Sequence, residues 1–192
     1  ALLLSGLFGV WGMLALAAVI GVGIAGIGFC VAHDALHGAY SEDPRINRLL
    51  GYTFDLCGAN GYMWKITHNA IHHTHINVHG LDEDLTVSPL LRLSPHAAWQ
   101  PIHRFQHLYA LFAYSLSTLF WVLAKDYKYF AQRDLGPYRN LTHKPGEWAA
   151  MFGLKGLYYL WSIVIPYLVL DLAWWQFAIG WLVMHLTAGA IL

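Results

Sequence analysis

The first 32 residues, Ala1 to Ala32, contain no Asp, Glu, Lys or Arg, and no other feature narrows so far what the chain can fold into. About 20 consecutive apolar residues cross a bilayer, and in lipid the backbone must satisfy its own polar groups, so such a run places the chain in a membrane. As a single helix it would extend roughly 48 Å, too long for one crossing and too short for two with a turn. The expectation is the tail of one helix followed by a complete span over about residues 8–32. Composition agrees, with 57% hydrophobic and 11% charged residues against about 25% charged in soluble domains. Eleven Lys and Arg balance eleven Asp and Glu, so no net basic field draws nucleic acid, which is excluded as a partner. Two cysteines, Cys30 and Cys57, imply no disulfide framework.

Three further stretches bear on the topology. Residues 105–124 lack Asp, Glu, Lys and Arg, yet Arg92 and Arg104 precede them and Lys125, Lys128, Arg133, Arg139 and Lys144 follow. The positive-inside rule puts both flanks on the cytoplasmic side, which predicts an interfacial or re-entrant element. Residues 148–170 and 172–192 read as an antiparallel pair of spans around Asp171, with Trp174 and Trp175 in an aromatic belt. Pro166 should kink the first of them, and Lys155 should snorkel back toward the basic side. The glycines of Gly21-Val22-Gly23-Ile24-Ala25-Gly26 match a dinucleotide fingerprint in form only, because no strand precedes them; small residues for close helix packing explain them better. The fold class is all-α: one polytopic membrane domain, 1–192, with histidine-bearing helices at its cytoplasmic face.

Histidine is the outlier. There are twelve, more than Lys and Arg together, and ten lie between His33 and His107. In His33-Asp34-Ala35-Leu36-His37 the i, i+4 pair points both rings to one helical face as the first long apolar run ends. In His68-Asn69-Ala70-Ile71-His72-His73 the outer pair shares a face, while His73 is turned from His72 by roughly 100° about an α-helical axis. Adjacent histidines then address two points, as a two-metal site would require, and imidazole suits iron, copper or zinc. Asp34, Asp82 and Asp84 are short carboxylates near these candidates, fit to receive the second N–H of a metal-bound ring. His75 reads as a surface residue, His103 and His107 as interfacial hydrogen-bonding residues, and His185, mid-span, as a neutral packing residue.

HDALHGAYS, followed about 30 residues later by THNAIHHTHIN and GLDEDL, resembles the histidine-box membrane fatty acid desaturases, on the bacterial acyl-CoA or acyl-lipid branch related to the front-end and linoleoyl-CoA enzymes. The resemblance runs on through RFQHLYA and the closing helical pair. It implies two iron ions held by His33, His37, His68, His72 and His73. It implies O2-dependent introduction of a cis double bond into an acyl-CoA or acyl-lipid, with electrons from a donor such as cytochrome b5 or ferredoxin. The family's third histidine box belongs beyond Leu192, so the chain is expected to be a piece truncated at both ends and inactive alone. The basic segment Lys125 to Lys144 is expected to receive an acidic electron donor.

The chemistry points the same way, since an acyl methylene has no acidic proton for a side-chain base and an oxygen-activating metal is needed. Three alternatives stand beside this reading: a lipid hydroxylase of the same superfamily, an intramembrane zinc protease, and a membrane metal- or heme-binding protein. HDALH differs from the protease motif HExxH by its shorter acid, and such a site needs one metal, which leaves HNAIHH unexplained. A transporter or heme protein should carry its histidines within the spans, where only His185 lies. Double-bond position, acyl chain length, head group and oligomeric state are not written in the motifs.

Overall fold

The computed structural model describes residues 2–85 and 89–192, and among these the regular elements are all helical, with no strand. After a 3-10 turn, Leu2–Ser5, Gly6 takes φ +69°, a left-handed conformation that ends it before the first long helix. Seven longer helices and a short 3-10 turn, Glu83–Leu85, follow among the described residues. α1 is Val10–His37 and α2 is Pro44–Leu56. α3 begins at Gly61–Trp64 and continues as Lys65–His72. α4, Pro101–Ser115, and α5, Ser117–Ala131, meet at a 55° bend, and α6, Pro145–Val169, and α7, Trp174–Ile191, close the chain. α1 and α6 are long and apolar enough to cross a membrane, and the bent α4–α5 pair is so if taken as one span.

Local chemistry sets the short elements. Asp43 caps α2 by accepting from Arg45 N–H at 2.8 Å, with Pro44 in the first turn, and Asn60 caps α3 by accepting from Met63 N–H at 2.9 Å. Asn47 of α2 donates to the Gly38 and Ser41 carbonyls and accepts from Ser41 N–H, which fastens the loop after His37 onto that helix.

α1 and α7 run side by side in one direction. Val10 and Phe177 line the same apolar cavity, while Gly28 at the other end approaches Leu192. Ala17, Ile24, Met184 and Ala188 form their buried seam. Gly21 is what lets them close: a methyl group there would overlap the Met184 carbonyl, whereas Gly23 and Gly26 face open space. Among these glycines the expected packing role rests on Gly21, with the fully buried Ala25 alongside. α6 runs the opposite way. A π-helical turn, Leu160–Val164, immediately precedes Ile165–Val169, so the missing N–H of Pro166 falls where the helical register already widens.

The bent pair packs against α7. At its bend the Tyr114 and Ser115 carbonyls lie against Gly189, and Thr118 Oγ1 donates to the His185 carbonyl at 2.9 Å. His103 near one end donates to the Pro89 carbonyl and accepts from Gln100 N–H, both at 3.0 Å. Tyr129 near the other is buried in a cluster with Met63, Ile71, Phe130, Leu135 and Met151, against α3.

Two polar residues inside the helices are fully accounted for. His185, with no exposure, bonds Tyr158 Oη through Nε2 at 2.5 Å and Thr118 Oγ1 through Nδ1 at 3.1 Å. The Thr118 proton is already committed to the His185 carbonyl, so Nδ1 donates and Nε2 accepts, the inventory of a neutral ring. Lys155 corrects the expectation that it snorkels. It is 2% exposed, ion-paired with Asp126 at 2.7 Å, and donates to the Gly58 carbonyl at 2.5 Å and the Trp121 carbonyl at 3.1 Å. A buried carboxylate on α5 offers the ammonium more than a reach to water would.

Candidate metal centre

The two histidine segments meet where α1 and α3 converge, and both carry π-helical turns. Gly28–Ala32 immediately precedes His33, and Lys65–His72 holds most of the second segment. A π turn bonds i to i+5 and frequently marks functional sites. Here the His73 N–H reaches the His68 carbonyl at 3.0 Å, one π turn back. The α-helical reading turned His73 away; the wider turn brings it back beside His68, with ring centroids 4.8 Å apart, against 5.1 Å for His68 and His72. Across the helices His37 lies 5.5 Å from His68 and 4.9 Å from His73, and His33 lies 4.6 Å from His37 and 5.7 Å from His68.

Among the described residues, two groups of three donors emerge. Ligand atoms of His33, His37 and His68 lie within 4.8 Å of one another, and so do those of His68, His72 and Asp84. His68 belongs to both. The donor groups hold four of the five histidines, and ring contacts to His37 and His68 bring His73 beside them, while Asp84 Oδ2 lies 3.5 Å from both His68 and His72 Nδ1. Burial works to raise the Asp84 carboxyl, but the hydrogen bond from His68 and the charges of Lys125, His72 and His68 outweigh it and hold the group below its ordinary range. Partial desolvation, then the neighbouring imidazoles, lower His73, which favours the neutral ring a metal requires.

Asp82 and Asp34 fix ring orientation. Asp82 is 1% exposed, takes His72 Nδ1 on both oxygens at 3.0 Å, and also accepts from Asn77 N–H and Asp84 N–H. Asp34, half-exposed, takes His33 Nδ1 at 3.0 Å. Each bond leaves Nε2 as the free ligand atom of its ring. The Asp82 loop is held in turn by Glu83, which accepts from Gly136 N–H at 3.0 Å.

Sequence reasoning missed Trp64. Its indole stacks on His68 at 4.3 Å and meets His33 and His37 edge-on at 5.4 and 5.3 Å, a wall on one side of the cluster. The signal was available, since Trp64 lies four residues before His68. His75 is half-buried, His79 and His96 are exposed with rings 6.4 Å apart, and His103 is satisfied as described above; none joins the cluster. Of the basic segment, Lys128, Arg133, Arg139 and Lys144 are exposed, whereas Lys125 is 7% exposed, with Trp121 and Tyr129 rings against its ammonium, which takes it out of any docking surface.

The fatty acid desaturase family model matches residues 9–192. The sn-1 linoleoyl-lipid 6-desaturase of Synechocystis sp. is 32% identical over 173 residues, covering 90% of this chain and 48% of that protein. Its namesake in Arthrospira platensis is 38% identical over 106 residues, 55% of this chain and 29% of that one. The chloroplastic acyl-lipid (7-3)-desaturase of Chlamydomonas reinhardtii is 41% identical over 135 residues, 70% of this chain and 22% of that protein. The chain spans about half the length, or less, of these relatives. No solved structure matches it.

Proposed function

We propose, given that the chain belongs to the fatty acid desaturase family, that it carries the metal centre of an acyl-lipid desaturase. The observation that carries this reading is His68 shared between two donor groups, an arrangement suited to a pair of ions side by side. His33, His37, His68, His72 and His73 would hold two irons, with Asp84 near enough to join them and Asp34 and Asp82 orienting His33 and His72. The irons supply oxygen activation, which removal of hydrogen from an unactivated methylene demands. In the overall reaction adjacent methylenes lose two hydrogens, O2 takes these with two electrons and two protons, and a cis double bond and two waters result.

The chain's own residues set the conditions. The Asp82 and Asp34 carboxylates keep Nδ1 of their histidines engaged, and Trp64 shields one side of the cluster from water. The relatives' names support a lipid-bound acyl chain over a CoA thioester. The bent α4–α5 pair is read as re-entrant, because its outer ends lie beside Pro89 and α3 while its bend lies on α7. That reading, with the exposed Lys128, Arg133, Arg139 and Lys144, supports a centre on the cytoplasmic face and a basic surface that would steer a donor such as cytochrome b5 or ferredoxin.

Lipid analysis of cells expressing the chain within a protein of the relatives' full length tests this. A new cis double bond in membrane acyl chains is expected, abolished by His72→Ala. Hydroxylated chains would assign the hydroxylase alternative instead, and unchanged lipids with iron bound would count against both.

A further inference from the structure

Asn69 stands inside the second histidine segment, and its side chain reaches across to the first. Nδ2 donates to the Leu36 carbonyl at 3.1 Å, one residue before His37. That carbonyl lies in the last turn of α1, where C=O groups run out of intrahelical partners. The Gly38 N–H turns back to Ala35 and the Ala39 N–H to Asp34, which leaves the Leu36 oxygen over. Leu36 is 8% exposed, clustered with Ala32, Phe54 and Ala59 and packed by Trp64 and Trp121, so the acceptor end of this part-buried bond is shielded from water. A side chain of one histidine helix thus caps the other, and the bond uses no imidazole. Asn69 Oδ1 is buried without a hydrogen-bond partner among the described residues, so the amide is held by its N–H end.

We propose that Asn69 is a positioning residue for the metal centre, fixing the two helices in register and with them the distance of His33 and His37 from His68. This rests on the reading that these imidazoles hold metal. The two donor groups depend on the clip unequally. His33, His37 and His68 come from both helices, whereas His68, His72 and Asp84 come from α3 and the loop that follows it. Loosening the clip weakens the first group and spares the second.

The test is a cobalt(II) titration of the full chain in detergent micelles, followed by visible absorption and competed with a chelator. Asn69→Leu keeps the volume without the N–H, and Asn69→Ala serves as a second variant should leucine not fold. The parent is expected to take two ions. The variants should hold one at parental affinity and the other roughly 10–100-fold more weakly, with helical circular dichroism unchanged. Two ions at parental affinity would overturn the positioning role. Equal weakening of both ions, or loss of helix in both variants, would overturn it too, marking Asn69 as a general structural residue. A parent that takes up no cobalt would sink the metal-centre reading itself, and this inference with it.

Discussion

Three carboxylates beside the histidines share one residue type and differ in burial, and burial sets what each contributes. Asp82, with 1% exposure and bonds to His72, Asn77 and Asp84, holds its imidazole with no competition from water, while half-exposed Asp34 holds His33 more loosely. Asp82→Ala is expected to lower metal affinity by roughly 10–100-fold in a chelator competition, and Asp34→Ala by less. A fourth carboxylate shows the cost of burial. Asp55 accepts from Asn60 and Gly61 N–H, yet burial, its largest influence, pushes it from 3.8 up to about 6. Its folded pKa lies above the unfolded value, so it contributes stability that is fully present below about pH 4 and lost as pH rises through about 6. Asp55→Asn removes that dependence, and thermal unfolding in micelles should show the variant gaining on the parent by on the order of 2–3 kcal/mol between pH 4 and pH 7.5. Parallel stability curves would show that Asp55 ionises in the fold without penalty.

At the scale of elements, the helices assemble where glycine lets backbones touch and where a polar side chain finds a partner from another helix. A methyl at Gly189 would overlap the Ser115 carbonyl at the bend of α4–α5, whereas Gly180 on the same helix faces open space. Gly189→Ala is therefore expected to destabilise the protein by about 1–3 kcal/mol in micelle unfolding, with Gly180→Ala close to neutral or slightly stabilising. Much of the candidate site was legible because it depends on local spacing: the i, i+4 pairs, the adjacent His72 and His73, and the nearby acids all fall within short stretches. The π turns were not legible, since α and π registers share one hydrophobic pattern and differ in which carbonyl each N–H selects. Hydropathy alone misplaced Lys155, because its partner Asp126 lies on another helix, 29 positions earlier. Trp64 was overlooked although it stands one α-turn before His68 on the same helix.

For the molecule as a whole, the arrangement divides scaffold from chemistry. α1, α6 and α7 form an apolar body sealed by Gly21, Ala188 and the satisfied His185, and the histidines gather at one end of it, where α1 and α3 meet. The fold class follows from the opening charge-free run and the two closing apolar segments; the meeting of two segments 31 residues apart does not, because it needs the Asn47, Asn69 and Gly51 packing that only the folded chain displays. Everything proposed for function rests on these segments forming one cluster with His68 at its centre. The measurement that reaches this most directly is an anaerobic iron(II) titration of the purified protein in micelles, parent beside His68→Ala, with bound iron counted per chain after chelator competition. The account predicts two irons in the parent and neither retained in His68→Ala, because each donor group loses a member. Two irons held at parental affinity without His68 would contradict it.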